Sequence, residues 1–74
     1  IESMQYDDLI KLVNQLPETC REVFKMAAID GLKHKEIGEI LGIEESSSRA
    51  HLTRAKKKLR DILAQLEKVE TYGE

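Results

Sequence analysis

The stretch His34-Lys35-Glu36-Ile37-Gly38-Glu39-Ile40-Leu41-Gly42-Ile43-Glu44-Glu45-Ser46-Ser47-Ser48-Arg49-Ala50-His51-Leu52-Thr53-Arg54-Ala55-Lys56-Lys57-Lys58-Leu59-Arg60 decides the fold of this 74-residue chain. Apolar residues at helical spacing predict a short helix from about His34 to Leu41, with Ile37, Ile40 and Leu41 inward and Gly42 as its stop. Past Gly42, Ile43 and Glu44, a longer helix is predicted from about Ser46 to about Leu66. At about 100° per residue, Ser48, Leu52, Ala55, Leu59, Ile62, Leu63 and Leu66 fall on one side of it. Ser46, Arg49, Ala50, Thr53, Arg54, Lys57 and Arg60 lie around the other. A short helix, a tight Gly-containing turn and a second helix loaded with bases form a helix-turn-helix pattern. Gly42 supplies a backbone angle that other residues resist, so the two helices can cross steeply. Gly38 has no side chain to hold them apart, and Ile43 plugs the elbow. The second helix then stands proud of the domain, where its narrow cylinder fits the major groove of B-DNA.

Upstream, Tyr6, Leu9, Ile10, Val13 and Leu16 recur at three- and four-residue steps, which predicts a first helix from about Ser3 to Gln15 and a core stripe along it. Pro17 suits the first position of a second helix, where its missing N–H would be an orphan anyway. That helix is predicted to run to about Asp30, with Cys20, Val23, Phe24 and Ala27 on one face and Gly31 ending it in a left-handed conformation. Alternating, β-branched strand patterns, repeats and flexible linkers do not occur. The expected fold is all-α: four helices in one domain over residues 1–66, followed by a polar tail over residues 67–74 that frays.

Length and charge bound the function. A chain of 8.5 kDa has little room for both a catalytic pocket and its scaffold. The single Cys rules out an internal disulfide framework and suits a reducing, cytoplasmic setting. No apolar run reaches the roughly 20 residues of a membrane span. The first residue is Ile, which suggests a segment of a longer protein. The overall charge of −2 hides a segregation. Residues 1–45 carry a net −5 and residues 61–74 a net −3. Residues 46–60 carry Arg49, Arg54, Lys56, Lys57, Lys58 and Arg60 with no acid at all. Such a run is often only a solvated face; its place on the second helix of the motif makes it an electrostatic footprint for polyanions.

Beyond the motif itself, Leu16-Pro17, Arg21-Glu22-Val23-Phe24, Asp30-Gly31-Leu32, the run from Glu36 to Ile43, Arg49, Leu52, Arg54-Ala55-Lys56 and Lys58-Leu59 together resemble region 4 of bacterial sigma factors. Within the sigma-70 superfamily the similarity is to the extracytoplasmic-function (ECF) type, and it covers about Leu16 to Leu63. The resemblance implies a domain that docks on the flap of RNA polymerase core and places its last helix in the major groove of the −35 promoter element. A separate region 2 in that family melts the −10 element. The positions corresponding to base contacts are Arg49, Ala50, Thr53 and Arg54. The two arginines have the planar fork that guanine O6 and N7 require, and Thr53 can bond or offer a methyl to thymine. Ser46, Ser47, His51, Lys56 and Lys57 suit phosphates, which position the protein without reading sequence. The family also implies an anti-sigma factor as a candidate partner. The isolated domain is expected to be monomeric.

Several residues depart from the family pattern. Ser48 stands where Val or Ile usually pins the recognition helix, so its hydroxyl needs a backbone partner. Lys33 replaces the usual Ser or Thr cap of the third helix. Glu44 takes the capping Ser position of the fourth, which makes Ser46-Ser47-Ser48 the expected substitute cap. Gly38 replaces a common Ala at a small expected cost in helix propensity.

Nothing in the sequence points to an enzyme, a metal or a cofactor. His34 and His51 lie seventeen residues apart, with one Cys in the chain and no second cysteine nearby. Cys20 fits a small core residue, and Asp7 and Asp8 diverge by about 100° on a helix. Two rivals to the sigma reading stand at this point: a response-regulator-type output domain that binds operators as a dimer, and a protein-interaction module whose basic face meets an acidic protein.

Overall fold

Pro17, Gly31 and Gly42 divide the chain where their backbone chemistry dictates. The computed structural model describes residues 5–72, with side chains through Leu66. Among the described residues there are four helices: α1 (Tyr6–Val13), α2 (Glu18–Phe24), α3 (His34–Leu41) and α4 (Glu45–Tyr72). Gln5 is extended and stands at the N-cap, so α1 starts at Tyr6 and not near Ser3, which itself lies outside the described residues, and it ends two residues before the expected Gln15.

Pro17 occupies the N-cap of α2, one position before the expected site; its carbonyl accepts the Arg21 N–H at 2.9 Å. α2 gives way to a single π-helical turn over Lys25–Ile29, closed by the Asp30 N–H on the Lys25 carbonyl. Gly31 then takes the left-handed φ of 74° that ends the segment, and the Leu32 N–H reaches back to the Met26 carbonyl. α3 has the expected bounds. Lys33 offers no side-chain acceptor for its first turn, but Glu36 closes half a capping box by accepting the Lys33 backbone N–H at 3.0 Å.

α4 runs longer than the periodicity predicted, through Tyr72, so much of the expected tail is helical. Its first intrahelical bond joins the Ser48 N–H to the Glu44 carbonyl. Glu44 therefore sits at the cap position, and the three serines lie inside the first turn rather than capping it.

The core gathers Leu12, Val13 and Leu16 from the α1 end, Cys20, Val23 and Phe24 from α2, Ile37 from α3, and Ala55 and Leu59 from α4. Leu9, Leu52, Ile62 and Leu63 pack at its margin. The expected inward set needs three corrections. Ile40 is 59% exposed. α3 is rotated so that Ile37, Gly38 and Leu41 face the domain, and Ile40 lies about 110° away from the middle of that arc. Leu66 is nearly half exposed, because α4 has by then passed the end of the helices it packs on. Tyr6, in the first turn of α1, borders an open groove with Ile10 and Ile29 instead of entering the core. No described helix is long and apolar enough to cross a membrane.

Candidate nucleic-acid interface

The α3–α4 elbow sets how α4 is presented. Gly42 adopts a left-handed φ of 70° and the Ile43 N–H bonds back to the Gly38 carbonyl at 3.0 Å. A Cβ on Gly38 would stand 2.6 Å from the Ile43 carbonyl oxygen, inside any tolerable contact. Gly38 is thus required by close approach of the turn, and an Ala would not fit this elbow as it stands. Ile43 is half-buried there, as a plug should be.

Ser48 lies opposite the elbow at 0% exposure. Its hydroxyl finds a side chain rather than the expected backbone partner: Oγ is 2.8 Å from Nδ1 of His34, at the start of α3. The bond ties the two helices of the motif together where an aliphatic pair would otherwise do so. A second polar tie, Nδ1 of His51 at 3.6 Å from Sγ of Cys20, links α4 to α2. No buried side-chain polar atom among the described residues lacks a partner. The register of α4 about its own axis is fixed by Ser48, Ala55 and Leu59 inward, backed by these two ties.

That register decides what faces solvent. Arg49, Thr53, Arg54, Lys56, Lys57, Lys58 and Arg60 are all exposed, and Ala50 is half-buried. At about 100° per residue Arg49, Ala50, Thr53 and Arg54 fall within an arc of about 140°, exposed at Arg49, Thr53 and Arg54 and half-buried at Ala50. Ser46 is exposed and Ser47 half-exposed in the first turn, where the backbone N–H groups of residues 45–47 have no intrahelical acceptor and the helix dipole is positive. His51 is half-buried and turned onto Cys20, which leaves Nε2 as its atom for any outside contact. Arg54 and Lys58 border a shallow apolar recess over Leu16, Pro17 and Cys20.

Internal contacts already engage part of this face. The Arg49 guanidinium is paired with Glu45, one turn before it, and the Lys57 ammonium lies 3.3 Å from Asp61, one turn after it. The Thr53 hydroxyl donates to the Arg49 carbonyl at 3.1 Å, so its proton is committed within the helix and its methyl and lone pairs remain. Neither Glu45 nor Asp61 was among the residues expected at this face. The signal was present, because an acid and a base four residues apart on a helix face each other.

Comparison with known proteins bears on this face and on the scaffold behind it. The chain matches the family described as sigma-70, region 4 over residues 6–59. It is 35% identical over 51 residues to the RNA polymerase sigma factor SigZ of Bacillus subtilis (strain 168), covering 69% of this chain and 29% of that protein. It is also 35% identical over 57 residues to the ECF RNA polymerase sigma factor SigE of Mycolicibacterium smegmatis, covering 77% of this chain and 22% of that one. The chain therefore spans less than a third of the length of either relative. No solved structure matches it at a significant level. The match takes in all of α1, α2 and α3, the elbow, and α4 as far as Leu59, which is the whole helix-turn-helix and the core that presents it: the chain belongs to the sigma-70 region 4 family.

Proposed function

We propose that this chain reads the −35 element of promoter DNA as the upstream-recognition domain of an ECF-type sigma factor, directing RNA polymerase to promoters in transcription initiation. One observation carries the reading most of the way. Six cations are concentrated between residues 49 and 60 of α4, on the sides left free when its aliphatic face is buried, while the rest of the chain is acidic. A polyanion laid along that helix answers such a distribution, and the family match supports promoter DNA as that polyanion.

In this reading the exposed arc of Arg49, Ala50, Thr53 and Arg54 enters the major groove. Arg49 and Arg54 present bidentate forks to guanine, Ala50 keeps the helix close to the bases, and Thr53 offers its methyl to thymine. Ser46 and Ser47, with the free N–H groups of the first turn, take phosphates on one side. Lys56 and Lys57 take them further along, with His51 contributing through Nε2. The RNA polymerase core, through its flap, and an anti-sigma factor are the protein partners, and the setting is the cytoplasm. The chain itself binds as a monomer, since a single recognition helix serves one half-site.

The test is a substitution series on a duplex selected by this chain from a randomised pool. Arg49→Ala and Arg54→Ala should each cost about 1–3 kcal/mol on that duplex and relax preference at one base position. Lys57→Ala should weaken all duplexes alike and flatten the salt dependence. Equal losses on selected and scrambled DNA for Arg49→Ala would remove the base-reading role.

A further inference from the structure

The pair that Arg49 makes on its own helix suggests how the face tells bases from phosphates. Glu45 precedes Arg49 by one turn, and both side chains are largely exposed, so nothing in the packing forces them together. In water such an exposed pair contributes little to stability. It therefore does little to hold the fold, yet it sits on the arginine best placed to read a base. A guanidinium carries five N–H donors in a rigid plane. Glu45 occupies a donor on one terminal nitrogen and leaves the remaining edge available for a bidentate contact.

Resting on the promoter-reading function above, we propose that Glu45 is a specificity-determining positioning residue, which acts through Arg49 to suppress phosphate contacts and to present its free edge to guanine. Two physical effects combine. An arginine neutralised by a carboxylate gains little from a phosphate, and the carboxylate itself is repelled by the backbone. Scrambled DNA thus loses an attraction it would otherwise share with the target. The base contact survives, because it depends on the geometry of the free edge more than on net charge, and a tethered side chain gives up less freedom on binding. Asp61 does the same for Lys57 in charge only. A lysine ammonium has no fixed fork to orient, so Asp61 should lower affinity without sharpening sequence preference.

The test uses this chain, a duplex it selects from a randomised pool, and a scrambled duplex of equal composition. Glu45→Gln keeps helix propensity and removes the charge. It should raise affinity for the scrambled duplex by about threefold to tenfold and steepen the salt slope there by about one phosphate contact. The gain on the selected duplex should be under twofold, so the preference ratio falls. The lost discrimination should appear at the base position that Arg49→Ala also relaxes. In the Arg49→Ala background, Glu45→Gln should change both duplexes equally. A uniform gain on both duplexes with Arg49 present would overturn the proposal and leave the promoter-reading function standing. Failure to select any preferred sequence would overturn that function and the proposal with it.

Discussion

Ser48→Val should destabilise the domain, although sequence reasoning from the aliphatic stripe of α4 and from the family pattern gives the opposite sign. Ser48 is fully buried, and its hydroxyl bonds His34 Nδ1 at 2.8 Å. Valine would add apolar burial of about 1–1.5 kcal/mol if both methyls found room. Against this stands loss of a hydrogen bond contributing about 1 kcal/mol, together with a half-buried imidazole nitrogen left without its partner. A site with no exposure must also accept extra volume, which costs about 1–3 kcal/mol in a well-packed core. The balance is a loss of about 1–2 kcal/mol. For a domain of this size that lowers Tm by about 5–15 °C. Denaturant melts and calorimetry of the two proteins would measure it. Ser48→Ala removes the hydroxyl without adding volume, and a double-mutant cycle with His34→Ala should return a coupling of about 0.5–1.5 kcal/mol. A midpoint for Ser48→Val at or above that of the parent, or zero coupling in the cycle, would refute the reasoning.

Other substitutions probe the elbow and the interface. Gly38→Ala should destabilise by about 1–3 kcal/mol despite the gain of about 1 kcal/mol in helix propensity, because its Cβ would meet the Ile43 carbonyl at 2.6 Å; thermal melts would show it. Gly42→Ala should cost about 1 kcal/mol through its φ of 70° alone, since nothing crowds the added Cβ; the same melts should rank it as the milder change. Asp61→Asn should strengthen binding to every duplex by a similar small factor, read by fluorescence anisotropy, because it releases Lys57 without altering the base-facing arc.

Much of the scaffold was legible because its punctuation is chemical. Gly31 and Gly42 both take left-handed φ, and α3 lies between them with the bounds its apolar spacing predicted. The π turn over Lys25–Ile29 was not legible, because a count at 100° per residue does not register one extra residue in a turn. Ile40 misled for a related reason. Its spacing from Ile37 fits a buried stripe, but the close approach of Gly38 to the elbow rotates α3 and turns Ile40 outward. Ser48 was recognised as the odd residue in its stripe. Its partner His34 lies fourteen residues away on another helix, and a contact of that kind exists only once α3 and α4 cross. At the interface, the basic face of α4 could be read directly from charge segregation. The pairing of Arg49 with Glu45 is equally present in their four-residue spacing, but net charge along the chain does not show it.

The most direct test is titration of this chain with a −35-type duplex selected from a randomised pool, followed by the salt dependence of binding to it. About four phosphate contacts along one recognition helix give a slope of log K against log salt near −4. The acidic remainder of the chain opposes approach in any other orientation. Binding should be monomeric, sequence-dependent and no tighter than about micromolar at physiological salt, with polymerase supplying the rest of the affinity in the assembled enzyme. Nanomolar binding of a dimer to a palindrome, or equal affinity for selected and scrambled duplexes, would contradict it.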